Sequence, residues 1–232
     1  MGQRWVIGDI HGCIGTFRKM VEQEICLEKE DTLFLLGDLI DRGPDSKAVI
    51  DFIFCLQEQS FNILVLMGNH EWMLLESLTS REMFALWMRN KGITTLHDFG
   101  IALDKDRDPA AVIQIPSRYL DFFQGLPSFV ETDGFFLVHA GLNPYCENPL
   151  EDRETMLWTR EEGYPADFLK GRKLVHGHSP IPLNEIVKRL SNVNTLVYNL
   201  DGGCVYPHIP GFGNLIAWNL DTGALKVLKN QE

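Results

Sequence analysis

Short apolar runs recur along this chain, and most of them end in a cluster of glycine and polar residues. Trp5-Val6-Ile7, Thr32 to Leu36, Ile63 to Leu66, Phe135 to Val138 and Lys173 to Val175 have the length and composition of buried strands. Helical spacing fills the first gaps. One helix is predicted from about Ile14 to Glu24, and a second from about Ser46 to Glu58, with Val49, Ile50, Ile53, Phe54 and Leu56 as its apolar positions. Asp45, after Pro44 and before that helix, reads as its N-cap. A strand, helix, strand, helix order implies a largely parallel sheet with right-handed crossovers.

From Trp72 to about Asp133 the pattern turns mostly helical, with Met83, Phe84, Leu86 and Trp87 in one helix and another near Tyr119 to Gln124. Residues 72–133 are a candidate cap over the ligand edge of the sheet, and otherwise helices that cover the sheet. Strand signals return at Leu196 to Leu200, Asn214 to Trp218 and Ala224 to Leu228, the last two joined by a hairpin at Asp221-Thr222-Gly223. The fold class is therefore α/β with mixed sheet architecture. With 232 residues and neither repeat nor linker, a single domain over 1–232 is expected.

Composition narrows the partners. A formal net charge of -11 argues against nucleic-acid binding, which needs a basic surface to neutralise phosphates. No apolar stretch approaches the roughly 20 residues that span a bilayer, and the first strand begins too early to leave room for a signal peptide. The five cysteines, Cys13, Cys26, Cys55, Cys146 and Cys204, are odd in number and lack paired spacing. They read as buried thiols of a reducing cytoplasm.

The chemistry lies in the segments that terminate the strands: Gly8-Asp9-Ile10-His11-Gly12, Gly37-Asp38-Leu39-Ile40-Asp41-Arg42-Gly43, Gly68-Asn69-His70-Glu71, Val138-His139-Ala140-Gly141 and His176-Gly177-His178-Ser179. Polar residues at strand ends gather at one edge of an α/β sheet, where such folds bind ligands. Asp9 and His11 can share one cation, Asp38 can bridge it to a second, and Asn69, His139 and His178 can complete the second site. Oxygen and nitrogen ligands without thiolate suit manganese first, with iron or zinc as alternatives. Two divalent cations about 3.5 to 4 Å apart can activate a shared water and clamp a phosphoryl group for in-line attack. His70, oriented by Asp41, can protonate the leaving group, while Arg42 and Arg160 can fork onto phosphate oxygens. His97 and His208 stand outside any motif and read as structural or solvated. Glu71 reads as a catalytic base or as a carboxylate facing a helix dipole.

In this order the stretches resemble the metal-dependent phosphoprotein phosphatase family of the calcineurin-like superfamily, in particular its small bacterial and phage-type serine/threonine phosphatases. The resemblance extends to Leu120 to Pro127, Leu157-Trp158-Thr159-Arg160-Glu161-Glu162 and Asn199 to Tyr206, so it covers nearly the whole chain. It implies two packed mixed β-sheets flanked by helices. It also implies Asp9, His11 and Asp38 on one metal, and Asp38, Asn69, His139 and His178 on the other. Asp41 with His70 matches the family's acid pair, and Arg42 and Arg160 its phosphate-binding arginines.

Related enzymes that hydrolyse symmetrical dinucleoside polyphosphates usually carry Ala-Arg-Gly and Asn-His-Asp where this chain has Asp41-Arg42-Gly43 and Asn69-His70-Glu71. Those local matches favour phosphoserine or phosphothreonine in a phosphoprotein or phosphopeptide as substrate, in an open groove. Met67 and Ser179 depart from the protein-phosphatase pattern, so dinucleoside polyphosphate hydrolysis stands as the alternative. A non-catalytic phosphate-binding module would have lost a ligand or the acid, and none is lost.

Overall fold

A computed structural model describes residues 2–103, 112, 114–160, 163–165 and 167–232. In chain order the elements begin with β1 (Arg4–Ile7), α1 (Ile14–Lys19), β2 (Thr32–Leu35), α2 (Ser46–Glu58) and β3 (Asn62–Val65). Among the described residues, helices α3 (Asn69–Glu76), α4 (Arg81–Arg89), α5 (Gly92–Asp98) and α6 (Ser117–Gln124) come next, and then β4 (Phe129–Thr132) and β5 (Phe135–Val138). The last part contains α7 (Arg153–Trp158), β6 (Lys173–His176), α8 (Leu183–Ser191), β7 (Val197–Asn199), β8 (Asn214–Asn219) and β9 (Leu225–Lys229).

These strands form two mixed sheets, one ordered β3-β2-β1-β8-β9 and the other β4-β5-β6-β7. Strands β1, β2 and β3 run parallel, and β8 closes antiparallel on β1. In the second sheet β5, β6 and β7 are parallel, with β4 antiparallel at the edge. The alternation of side chains along a strand explains how the sheets pack. Val6, Phe34 and Leu36 meet Phe135, Leu137, Val175 and Tyr198 between the sheets, while Trp5, Ile7, Leu33 and Leu35 point the other way, into a core with α1 to α6. Phe136, Val138 and Leu174 face a third cluster with Met156 of α7. Each of the central strands is apolar on both sides, which is why the sequence shows unbroken apolar runs.

The elements depart from the sequence expectation in a few places. The helix expected over 14–24 gives way after Lys19 to a π-helical turn at Met20–Glu24, with Ile25 N donating to Met20 O at 3.0 Å. The stretch 72–133 ends in a strand, β4, whose residues are half-buried or exposed at a sheet edge and so carry no continuous apolar signal. Its helices share the core under the first sheet through Met73, Leu74, Phe84, Trp87, Leu96 and Phe123. Residues 104–111 and 113 of that stretch lie outside the described residues. Helix α8, with only Ile186 buried, was not expected, and of the cysteines expected to be buried only Cys13 and Cys204 are, with Cys26 and Cys55 exposed. Asp45 does cap α2, its Oδ1 accepting from Ala48 N at 2.8 Å, and β8 and β9 form the expected hairpin.

Candidate active site

The parallel strands β1, β2, β3, β5 and β6 deliver their following loops to one edge, and all the candidate ligands arrive there. Asp9, His11, Asp38, Asn69, His70, His139 and His178 are each at most 7% exposed. Backbone geometry at this edge is strained. Of nine non-glycine residues with positive φ among those described, five are His11, Asp38, Asp41, Arg42 and His178. Left-handed backbone at bulky residues costs about 1 to 3 kcal/mol each and persists where the surroundings over-determine it. Close loop contact requires glycine at two points. A Cβ on Gly37 would stand 2.5 Å from Gly68 N, and one on Gly177 would collide with Asp9 Oδ1.

Asp38 is the centre of the arrangement. Its Oδ1 lies 3.4 Å from His139 Nε2, and its Oδ2 lies 3.5 Å from His11 Nε2 and 3.9 Å from His70 Nε2. On the Oδ1 side, Asn69 Oδ1 is 3.0 Å from both His139 Nε2 and His178 Nδ1, and the two ring nitrogens are 3.2 Å apart. His139 Nδ1 donates to Leu36 O at 2.8 Å, so its Nε2 presents a lone pair. Only His178 could place a proton among these atoms, whereas a divalent cation would accept all four electron pairs at once. The donor set therefore fits a metal, and among the described residues Asp38, His139 and His178 form one of two groups able to hold an ion.

The other group is His11, Asp38 and His70. His11 Nδ1 donates to Ile40 O at 2.8 Å, which turns Nε2 toward Asp38, but Arg42 Nη1 lies 2.6 Å from that same Nε2. Asp9 reaches the site without joining either group. Both its oxygens accept from His178 N at 3.1 Å, and burial, then the charges of Asp201 and Asp38, push its carboxyl well above the carboxylate range. Arg160 stands at the rim, its Nη1 donating to Ser179 Oγ at 3.1 Å. Glu161 and Glu162 of the same stretch lie outside the described residues.

Burial sets the charge states of the imidazoles. It holds His139 below its usual pKa and, with His139 alongside, pushes His178 down to about 3. Burial and then Arg42 push His11 well down. All three are thus neutral near pH 7, the form in which imidazole binds a metal. Asp38 is the reverse. Burial would raise its carboxyl, but His139, His70, His11 and Arg42 outweigh that and hold it below the carboxylate range. His70 is also a balance, in which burial lowers its pKa and the Asp38 charge and the Asp41 hydrogen bond raise it further, leaving it above the ordinary value.

Several residues at the site were not assigned from sequence. Glu71 is the helix-start carboxylate of α3, accepting from Gly68 N at the N-cap, and its reach goes beyond that role. Fully buried, its carboxylate accepts from the backbone N–H groups of Asp38, Leu39, Ile40 and Gly68, which ties the β2 and β3 loops together. Asp201 is buried beside Asp9 with its carboxyl pushed up to about 7 by burial, and its position in a loop far along the chain gave no local signal. Trp158 stands edge-on to His178 at 6.3 Å and to Trp72 at 6.0 Å. These tryptophans, with Met83, Leu86, Arg153, Glu154 and Leu157, line a cavity of about 450 Å³ beside the metal-ligand cluster.

Residues 3–204 match the family model described as calcineurin-like phosphoesterase. The chain belongs to that family. Curated relatives of this calcineurin-like phosphoesterase include the symmetrical bis(5'-nucleosyl)-tetraphosphatase of Pectobacterium atrosepticum, 30% identical over 145 residues, and that of Chromobacterium violaceum, 33% identical over 140. The matches cover 62% and 60% of this chain but 45% and 43% of those proteins, so the chain spans about half the length of the curated relatives it matches. Among solved structures, a candidate diadenosine tetraphosphatase superposes with a TM-score of 0.67 at 20% identity, covering 100% of this chain and 95% of that one. A Saccharomyces cerevisiae protein serine/threonine phosphatase superposes with a TM-score of 0.62 at 16% identity, covering 100% and 80%. At those identities the structures speak to the fold alone. Among the described residues, no helix is long and apolar enough to cross a membrane.

Proposed function

We propose that this metallophosphoesterase hydrolyses dinucleoside polyphosphates. The observation that carries the reading is the cavity walled by Trp72, Met83, Leu86, Leu157 and Trp158, the last of which stands edge-on to His178 at 6.3 Å. A nucleobase has two apolar faces and gains roughly 1 to 3 kcal/mol from stacking on an aromatic side chain, whereas a phosphoserine side chain has nothing to place there. Arg153 and Glu154 in the same lining offer a donor and an acceptor to the edge of a base. The names of the curated relatives support the same substrate class.

The residues that would hold two divalent cations are Asp38, Asn69, His139 and His178 on one side and His11 with Asp38 on the other, with Asp9 adjoining. Bound there, the cations would supply Lewis-acid activation of water and neutralisation of phosphate charge. Arg42 and Arg160 bind the non-bridging oxygens. His70, whose Nδ1 lies 2.6 Å from Asp41 Oδ2, presents its buried Nε2 to the departing oxygen.

One feature favours a second activity. The Asp41–His70 pair is completely buried, and a built general acid serves a basic leaving group such as the alkoxide of serine or threonine better than it serves a nucleotide phosphate. The test compares kcat/KM for diadenosine tetraphosphate and a phosphoserine peptide with manganese supplied, in the wild type and in Trp158→Ala. We expect at least a tenfold preference for the dinucleotide, about 1.4 kcal/mol in barrier, and a rise in its KM in Trp158→Ala that p-nitrophenyl phosphate does not share. A tenfold preference for the peptide would replace this reading by the second.

A further inference from the structure

Asp41 is more tightly bound than an orienting carboxylate requires. Its Oδ2 accepts from Trp87 Nε1 at 2.7 Å as well as facing His70 Nδ1 at 2.6 Å. Its Oδ1 accepts from Thr95 Oγ1 at 2.5 Å. Its backbone N–H, in the left-handed region at φ +69°, donates to Ser46 Oγ at 3.0 Å and to Thr95 Oγ1 at 3.1 Å. Thr95 therefore grips the residue twice, accepting from the backbone N–H and donating its own proton to the carboxylate. Asp41, His70, Trp87 and Thr95 are all at 0% exposure, so no water competes for these bonds.

The indole is fixed in turn. A Cβ on Gly92 would collide with Trp87 Cε2, which means that the ring packs directly on the start of α5. Helices α4 and α5 thus bring one donor each to the same carboxylate, across 46 and 54 positions of sequence. With Oδ1 held by a hydroxyl and Oδ2 shared between two N–H groups, the carboxylate cannot rotate away from His70. A charged acceptor with several directed donors is costly to leave half-satisfied. General acid catalysis depends on the donor being within reach of the departing atom at the moment of cleavage.

We propose that Trp87 and Thr95 are positioning residues that lock Asp41 and, through it, hold His70 in the orientation that donates to the leaving group. The proposal rests on the reading of His70 as the acid, and the experiment separates the two. Wild type, His70→Asn, Trp87→Phe, Thr95→Val and Thr95→Ser are compared on an alkyl phosphate (a phosphoserine peptide) and an aryl phosphate (p-nitrophenyl phosphate), with manganese content measured for each. The resonance of the His70 Nδ1 proton is recorded in the metal-free protein. We expect Thr95→Val and Trp87→Phe each to lower kcat on the alkyl phosphate about tenfold and on the aryl phosphate less than threefold, with KM and metal content unchanged. The Nδ1 proton should shift in both variants and return in Thr95→Ser together with the lost turnover. If His70→Asn is selective for the alkyl phosphate while Thr95→Val and Trp87→Phe match wild type in turnover and resonance, the positioning role is overturned and the acid stands. If His70→Asn loses both substrates equally, the acid reading fails and the proposal with it.

Discussion

The two oxygens of Asp38 look onto differently built surroundings. Around Oδ1, the electron-pair donors of Asn69, His139 and His178 already converge within 3.2 Å of one another, and His139 is anchored through Nδ1 to the backbone of Leu36. Around Oδ2, His11 and His70 stand off at 3.5 and 3.9 Å. There the lone pair of His11 is taken by Arg42, and Asp9 is turned to the backbone of His178. One side is organised for a cation by contacts that do not depend on it. The other is held by a guanidinium that a cation must displace, so the Oδ1 side should bind its metal more tightly. Placing a ligand at a strand end is therefore different from aiming it.

The largest disturbance of this contrast is Asp38→Asn, which removes the charge that faces both sides. Turnover should fall by orders of magnitude and both ions should weaken. Metal content and activity of the purified variant check this, and two retained ions with full activity would remove Asp38 from the bridge. His139→Ala should strike one side only. Disturbing the partners of metal ligands alone costs roughly 10- to 100-fold in affinity, so losing a ligand should cost more than that, and the retained ion should be the weaker one. Manganese bound per chain should fall from two to one.

Arg42→Ala should act in opposite directions on ion and substrate. Without the guanidinium on His11 Nε2, the Oδ2 side should bind its ion several-fold more tightly. Substrate KM should rise roughly 10- to 100-fold, in line with roughly 1.5 to 3 kcal/mol for a hydrogen bond to a charged group. Weaker metal binding in this variant would mean that Arg42 supports the ion instead of opposing it.

The smallest effect concerns Asp98, which accepts from Ser46 N at 2.6 Å behind the Asp41 loop. Burial pushes its carboxyl from 3.8 up to about 6. The folded chain thus binds this proton more tightly than the unfolded chain, and stability present below pH of about 4 is lost as pH rises through about 6. Asp98→Asn keeps an acceptor for Ser46 and removes the titration. The fall in melting temperature from pH 4 to 6 should be shallower in the variant, and an unchanged slope would assign the dependence to other groups.

How much of this molecule is legible in its sequence depends on how far each signal reaches. The central strands were legible because both their faces are buried, which writes an apolar run into consecutive residues. Strand β4 was not, because its side chains are only half-buried at an edge. The ligands stand immediately after strands within short motifs, so their gathering at one edge could be read locally. Trp87 and Thr95 could not, since each reads as an ordinary inward-facing helical residue and its partner lies dozens of positions away. The same holds for Asp201, which meets Asp9 only through the packing of the two sheets. Glu71 was visible as a helix-start carboxylate, but its grip on the β2 loop depends on Gly37 letting two backbones touch.

The inequality of the two sides is tested most directly by calorimetric titration of the metal-free protein with manganese, alongside His139→Ala and His11→Ala. Two ions per chain should bind in resolved steps, with the tighter step lost in His139→Ala and the weaker one in His11→Ala. A single ion per chain, or the tighter step lost in His11→Ala, would contradict it.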